Sequence, residues 1–208
     1  MYINFWYPAA LSEELKDEPI RARILGQNFV VFRDSKGQAH TLSDTCPHRG
    51  GALSAGVIRD DCIQCPYHGW RYDGEGYCRR IPSLGKDAKI PKRARVDAYP
   101  TQEQNGIVFT FLGDLEEKKR PPIMPIKELE DPESWRANWI TYEADINFER
   151  SIENGLDAAH NEFVHPTHGH EGADEDYQVN YLDFVDNMFG EKKWGFGFWH
   201  AFKSPAST

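Results

Sequence analysis

Two short segments of the sequence each combine a cysteine with a histidine at a spacing typical of metal ligands. The first segment carries Cys46 and His48, the second carries Cys65 and His68, and sixteen residues separate His48 from Cys65. Two thiolates and two imidazoles can hold structural zinc, or a [2Fe-2S] cluster in which one iron takes the cysteines and the other takes the histidines. Zinc fingers usually pair like ligands on each arm, whereas each arm here mixes the two types, which favours the cluster.

The residues around these ligands resemble the cluster loops of Rieske non-haem iron oxygenases, the terminal components of ring-hydroxylating and demethylating systems. The loops are Cys-Pro-His-Arg-Gly-Gly at 46–51 and Cys-Pro-Tyr-His-Gly-Trp at 65–70. Respiratory Rieske proteins carry an additional cysteine in each loop, and residues 49–51 contain none. The resemblance implies that the two cysteines and two histidines bind a Rieske [2Fe-2S] cluster.

A second candidate metal site lies in residues 146–165, where apolar residues recur at helical spacing. This pattern predicts a helix that places Asn154, Asp157 and His160 on one face. A proline follows His165 and disfavours helical backbone there, so we expect the helix to end or bend near Val164 and His165 to turn back towards His160. Two imidazoles and one carboxylate would form the facial triad of a non-haem Fe(II) oxygenase, whereas the alternative is an amphipathic helix with incidental histidines.

The spacing of Asp157, His160 and His165 resembles the mononuclear-iron motif of the same family, and Asn154 resembles the spacing in its O-demethylase-like branch. The resemblance implies that both histidines bind Fe(II) and that Asp157 links the Rieske site of one subunit to the iron of its neighbour in a homotrimeric ring. Family members take the third ligand from a helix far downstream. No third ligand is assigned here, since the acidic residues at 174–176 belong to a polar loop. The chain is interpreted as a C-terminally truncated form, and the alternative is an incomplete iron site.

The elements that must position the first site are predicted to be antiparallel strands. Runs of β-branched and aromatic residues, several separated by Gly- or Asn-containing turns, occur at 29–33, 39–42, 62–64, 70–72, 77–79, 95–99 and 107–111. Residues 12–15 predict a short helix and residues 135–142 a further strand. We therefore expect a fold that is mostly β with some α, in which a β module presents both ligand loops at one end.

A charged, proline-rich stretch predicts a linker in the middle of the chain. The predicted division is a Rieske domain with its N-terminal segment at 1–115, a linker at 116–134, and a partial catalytic domain at 135–208. The resemblance implies that the last part begins a helix-grip type α+β domain.

Composition and charge exclude several classes of function. The formal net charge of −9 and the pI near 5.4 argue against nucleic acid as a partner, because a negative field repels polyanions. The sequence contains no long apolar run and no basic leader followed by an apolar stretch, so we expect no membrane span and a cytoplasmic location. In a reducing compartment Cys62 and Cys78 are expected to be free thiols. Cys62 also forms a Cys-x-x-Cys pair with Cys65, but the strand pattern places it before the ligand loop.

The resemblance implies an oxidoreductase, the terminal oxygenase component of a Rieske system. It would use O2 and externally supplied electrons to hydroxylate or oxidatively demethylate a small apolar or aromatic substrate, with monooxygenation favoured over dioxygenation. No Gly-x-Gly-x-x-Gly motif follows a predicted strand, so the donor would be a separate ferredoxin and/or flavin reductase. The alternatives are a Rieske-type electron-transfer protein without its own catalysis and a zinc-stabilised binding module.

Overall fold

The computed structural model describes residues 3–136, 138, 140, 142–157, 160, 164, 189–192 and 195–198. Strands predominate among these residues, which contain a single α-helix. The predicted class, mostly β with some α, is therefore confirmed. Within the described part of the chain, no helix has the length and apolar character needed to cross a bilayer.

The strands in chain order are β1 Phe5–Leu11, β2 Ile20–Ile24, β3 Gln27–Arg33, β4 Ala39–Ser43, β5 Val57–Arg59, β6 Cys62–Gln64, β7 Arg71–Tyr72, β8 Cys78–Arg80, β9 Ala98–Tyr99, β10 Thr101–Gln104, β11 Ile107–Leu112, β12 Phe189–Lys192 and β13 Gly195–Phe198. The α-helix, α1, is Phe148–Leu156, and short 3-10 helices occur at Leu53–Ala55, Pro82–Leu84, Glu117–Lys119 and Lys127–Glu130. The chain divides into two compact units, residues 1–127 and 128–208.

Three antiparallel sheets build the first unit. Their strand orders are β1-β11-β10, β2-β3-β4-β9 and β5-β6-β7-β8. Tight turns connect several neighbours, and in the β10–β11 turn Asn105 and Gly106 both adopt positive φ, 55° and 77°. Asn-Gly is favoured there because asparagine and glycine tolerate left-handed backbone best, and such turns match the twist of the strands.

Strand β3 is buried on both faces, so it contributes to two hydrophobic cores. Val30 and Phe32 point into one core, whereas Phe29 and Val31 point into the other. This alternation follows from the two-residue period of a strand, and it explains why residues 29–32 form an uninterrupted apolar run. The β3 strand therefore holds the sheet β2-β3-β4-β9 between the two other sheets.

The two cores have different partners across the sheet. One packs the inner face of β2 and β3 against the sheet β1-β11-β10, through Val108 and Leu112. The other packs Val30, Phe32 and Leu42 against the sheet β5-β6-β7-β8, and its buried members include Cys46 and Cys65. Both predicted cluster cysteines are thus part of the core rather than of the surface.

Three local predictions are corrected by the structure. Residues 12–14 form a turn rather than the start of a helix, and this turn directly follows β1, which extends to Leu11 and pairs with β11. The strand expected at 95–99 is limited to β9, since only Ala98 and Tyr99 pair with β4. The described residues within 135–142 form no strand, although high β propensity was the basis of that prediction.

In the second unit, helix α1 begins after Asn147, whose side chain accepts hydrogen bonds from the backbone N–H groups of Glu149 and Arg150. This is the usual N-terminal capping arrangement. The strands β12 and β13 form an antiparallel hairpin.

Candidate metal centres

The two predicted ligand loops have the same backbone hydrogen-bond pattern. In the first, the Cys46 N–H donates to the Gly51 carbonyl at 2.9 Å and the Gly50 N–H donates to the Cys46 carbonyl at 2.9 Å. In the second, the Cys65 N–H donates to the Trp70 carbonyl at 2.8 Å and the Gly69 N–H donates to the Cys65 carbonyl at 3.0 Å. Both loops are therefore closed turns that begin at a cysteine and hold the following histidine in a defined place.

Each turn needs a glycine at the fourth residue after its cysteine. Gly50 has a φ of 72° and Gly69 a φ of 71°, the left-handed region in which side chains with a Cβ are strained. The shared Cys-Pro start and the shared glycine are the sequence signals of this conformation.

The fold brings the two loops against each other. A Cβ built on Gly51 would lie 3.2 Å from the Cys65 sulfur, so the first loop directly abuts the second thiol. The rings of His48 and His68 meet edge to face with their centroids 4.5 Å apart. All four side chains predicted as cluster ligands therefore occupy one site.

Burial separates the thiols from the imidazoles. Cys46 and Cys65 are 2% and 1% exposed, whereas His68 is exposed and His48 is half-buried. The site thus has a thiol side in the core and an imidazole side at the surface. This is the separation that a two-iron cluster with cysteines on one iron and histidines on the other requires.

The observed donor set fits such a cluster on one further observation. The Nδ1 atom of His48 is buried without a hydrogen-bond partner, and a buried orphan nitrogen of this kind is suited to a metal bond.

The Tyr72 hydroxyl and burial in the core affect the ionisation of the Cys46 thiol. The Tyr72 hydroxyl lies 3.3 Å from the Cys46 sulfur inside the core. Burial raises the pKa of the Tyr72 phenol far above its usual range, so the hydroxyl keeps its proton and can donate it to a thiolate. Burial also raises the pKa of the Cys46 thiol, and the Tyr72 hydrogen bond partly offsets that rise. Cys46 therefore becomes a thiolate when a metal replaces its proton.

Stacking on Trp70 orients the His48 ring, and burial determines its protonation state. Trp70 stacks on the imidazole with ring centroids 4.6 Å apart and planes 7° from parallel. Burial, followed by the charges of His68 and Arg49, lowers the pKa of His48. The ring is consequently neutral at pH 7, which is the form that binds metals.

A buried carboxylate holds the base of the first loop. Asp44 is 3% exposed and accepts hydrogen bonds from the Ser54 N–H at 2.6 Å and the Ser54 hydroxyl at 2.8 Å. Its second oxygen lies 3.6 Å from the Arg21 guanidinium. The sequence prediction missed Asp44, Tyr72 and Trp70 as contributors to the site. The Tyr at 72 follows the second loop by two residues, but nothing local indicates that its hydroxyl reaches the first.

The remaining cysteines are free thiols, as expected. Cys62 lies in strand β6 before the ligand loop, and burial raises its pKa to about 11. Cys78 lies in β8 and its thiol contacts the Arg80 carbonyl at 3.4 Å. Both are suited to packing rather than to metal binding, because burial keeps them protonated.

The second predicted site is partly described. Helix α1 ends at Leu156, so the expectation that Asn154, Asp157 and His160 share one continuous helix is wrong. Asp157 has extended backbone with ψ at 98°, and Gly155, two residues upstream, is a weak helix former, which explains the early end. Further along, Val164 has helical backbone, and its N–H donates to the His160 carbonyl at 2.8 Å.

His160 nevertheless lies beside both of the other side chains. The Asn154 amide nitrogen lies 3.2 Å from His160 Nε2, and an Asp157 carboxylate oxygen lies 3.5 Å from His160 Nδ1. A carboxylate beside one ring nitrogen is the arrangement that orients metal-binding imidazoles. His165 and the acidic residues at 174–176 lie outside the described residues.

Comparisons with known proteins agree with the first of these centres. Residues 5–100 match the Rieske [2Fe-2S] domain family. The chain is 31% identical to cholesterol 7-desaturase nvd 1 of Ciona intestinalis, over 91% of this chain and 40% of that protein. It is 30% identical to the 3-chlorobenzoate-3,4-dioxygenase oxygenase subunit of Comamonas testosteroni, over 98% of this chain and 47% of that protein.

Among solved structures, dicamba monooxygenase bound to dicamba aligns with a TM-score of 0.71 and 30% identity, covering 79% of this chain and 48% of that one. The chain therefore spans less than half the length of each of these three relatives.

Proposed function

The chain belongs to the Rieske non-haem iron oxygenases, and on that premise we propose that it is part of the terminal oxygenase component of a Rieske system. Its reaction would be the O2-dependent hydroxylation or oxidative demethylation of a small apolar or aromatic substrate. The main observation behind the proposal is that two loops with the same hydrogen-bond pattern bring two buried thiols and two imidazoles together at one site. Relatives named as monooxygenases and dioxygenases support it over a carrier without catalysis.

In this proposal Cys46, His48, Cys65 and His68 hold the cluster. When bound, a Rieske cluster takes up and passes on one electron at a time, at a potential of about −150 to +300 mV. The buried thiols keep water away from the sulfur side, and the exposed His68 leaves the imidazole side open to a donor. Trp70 fixes the plane of His48 by stacking, and Tyr72 donates a hydrogen bond to the Cys46 sulfur.

We further assign His160 and His165 as the protein ligands of a mononuclear iron. Fe(II) held by two histidines and a carboxylate keeps open positions at which O2 and substrate can approach. Asp157 would hold His160 through its Nδ1 side, which leaves Nε2 for the metal, and Asn154 lies on that Nε2 side. The amide of Asn154 would have to yield to the metal or bind beside it.

Several assignments follow from family membership. We propose that residues 1–115 form the Rieske domain, 116–134 a linker and 135–208 part of the catalytic domain. The assembly would be a homotrimer in which Asp157 connects the cluster of one subunit to the iron of the next. Electrons would come from a separate ferredoxin and/or flavin reductase. The cytoplasm is the proposed compartment, a proposal supported by the free thiols of Cys62 and Cys78.

Metal and sulfide analysis of the purified chain, together with its visible spectrum, tests the cluster. The oxidised protein should be reddish brown and contain two irons and two sulfides per chain in the cluster. Cys46→Ser and Cys65→Ser should abolish the colour, whereas Cys62→Ser and Cys78→Ser, matched changes at buried thiols outside the site, should retain it. A colourless protein with stoichiometric zinc would refute the proposal.

Iron content tests the second centre separately. The wild type should bind one iron beyond the cluster pair, and His160→Ala should lose only that iron. Substrate-dependent O2 uptake in the presence of a reductase should disappear with the same variant. Uptake that survives His160→Ala would show that the iron lies elsewhere.

A further inference from the structure

Residues 79–95 differ in charge from the rest of the chain. They contain seven lysines or arginines and one aspartate, so their net charge is +6. The other 191 residues contain 17 basic and 32 acidic residues and carry −15. A concentrated positive segment on an acidic protein creates a local field that attracts negatively charged partners to one face.

The charges of this segment face solvent. All seven basic side chains are exposed. Arg79 pairs with Asp73, and Arg95 lies over the Tyr77 ring with 5.0 Å to its centroid. Within residues 3–136, the lysines at 86, 89 and 92 and Arg93 have no ion pair. Most of the positive charge is therefore available to a partner.

The segment is attached directly to the cluster site. Ile81 and Ala94, which lie near its two ends, are buried in the same core as Cys46 and Cys65. Its 3-10 turn packs on the second ligand loop, since a Cβ built on Gly69 would lie 3.0 Å from the Pro82 ring. The start of the segment is thus held against the second ligand loop, which carries the exposed His68.

Exposed apolar side chains lie on the same two loops. Tyr67, next to His68 in the ligand loop, is 66% exposed, and Leu84 in the 3-10 turn is 51% exposed. The Tyr67 and His68 rings are 4.0 Å apart between centroids. An apolar centre with a charged rim is the composition of a transient protein interface.

We propose that residues 79–95, together with Tyr67, form the docking face for an acidic one-electron carrier protein. This assignment rests on the proposed function, because it supplies the route by which electrons reach the cluster. Complementary charge speeds the encounter and orients the carrier, and the apolar centre allows close approach to His68. A protein partner is favoured over nucleic acid because the −15 on the remaining surface repels a long polyanion, whereas a compact carrier meets only the positive face.

Charge reversal on the full chain tests the docking face. The test variant is Lys86→Glu/Lys89→Glu/Lys92→Glu. The control variant, Lys16→Glu/Lys36→Glu/Lys118→Glu, makes the same charge change at exposed lysines outside the segment. The probe is an acidic plant-type [2Fe-2S] ferredoxin, with a basic cytochrome c as the probe of opposite charge. Kd is measured at low and at physiological ionic strength, and the rate of cluster reduction is measured by stopped flow.

The test variant should bind the ferredoxin at least about tenfold more weakly and be reduced correspondingly more slowly, and the difference should shrink as salt is added. The control variant should stay close to wild type, and cytochrome c should bind the test variant better than the wild type. Equal losses in both variants, or a duplex DNA that binds the segment as tightly as ferredoxin, would overturn the assignment.

Reduction by dithionite separates this inference from the proposed function. If dithionite bleaches all three proteins equally, the cluster is intact and any difference with ferredoxin belongs to docking. If dithionite bleaches none of them, the cluster assignment fails, and the binding constants still report on the docking face.

Discussion

Removal of the Tyr72 hydroxyl should lower the reduction potential of the cluster. The phenol is fully buried and its oxygen lies 3.3 Å from the Cys46 sulfur, so Tyr72→Phe deletes one hydrogen bond to the thiolate without changing the packing. The reduced cluster carries one more negative charge than the oxidised cluster, and a donor stabilises the more negative form more strongly. The oxidised form is therefore favoured when the donor is lost.

The size of the shift follows from the strength of such a bond. Hydrogen bonds to charged groups contribute about 1.5–3 kcal/mol. If the hydrogen bond is weaker in the oxidised cluster than in the reduced cluster by about half of this energy, its loss changes the relative stability of the two redox states by ~0.7–1.5 kcal/mol. A tenfold change in a one-electron equilibrium is about 59 mV, so the potential should fall by about 30–65 mV.

A redox titration followed by visible circular dichroism measures this shift. Iron and sulfide content must be equal in wild type and variant. Tyr77→Phe is the matched control, because its ring lies on the same β7–β8 hairpin under Arg79 and is 42% exposed. An intact cluster whose potential is unchanged or raised in Tyr72→Phe would refute the role of this hydrogen bond, as would an equal shift in the control.

Three further substitutions test the loops, the β module and the second site. Gly69→Ala should destabilise the protein by about 1–3 kcal/mol in urea unfolding, because its φ is 71° and a Cβ would meet the Pro82 ring at 3.0 Å. The hydrogen bond from Arg33 is the main cause of the lowered pKa of Glu103. The ionised Glu103 therefore stabilises the fold above the usual pKa of 4.5, and this stabilisation is lost as the pH falls below it. Glu103→Gln should accordingly reduce the difference in stability between pH 6 and pH 4. Asp157→Asn should weaken binding of the mononuclear iron by about 10–100-fold, measured by metal competition, since the carboxylate beside the imidazole is lost.

Each of these has a matched control. Gly85→Ala adds a Cβ at a φ of 88° with no atom within 4 Å, so a cost equal to that of Gly69→Ala would mean that the Pro82 contact is irrelevant. Glu117→Gln makes the same chemical change at an exposed position away from the Arg33–Glu103 pair, so an equal change in the pH dependence would contradict the role of that pair. Glu153→Gln on α1 should retain the iron, and a loss equal to that of Asp157→Asn would indicate a general effect of charge.

The amino-acid sequence was sufficient to predict the two loops and much of the β module around them. The loop residues are close in the chain, so their spacing and their glycines specify the two turns through local backbone geometry. The strands at 29–33, 39–42, 62–64 and 107–111 were likewise predicted within one or two residues, because alternation and turn chemistry are local signals. The end of helix α1 was not predicted, because the helical periodicity of the sequence continues past Asp157, whereas the backbone of Asp157 is no longer helical.

Tertiary structure alone decided what surrounds the ligands. The Tyr72 hydroxyl reaches a sulfur 26 residues earlier in the chain, and the Asp44 carboxylate holds a serine ten residues later. Residues 79–95 are recognisable in the sequence only as a basic run, and the packing of Ile81 and Pro82 places them beside the cluster site. These contacts depend on which sheets stack on the two faces of β3. The stacking of the sheets is determined by the simultaneous burial of many apolar side chains, so it cannot be predicted from any short stretch of the sequence.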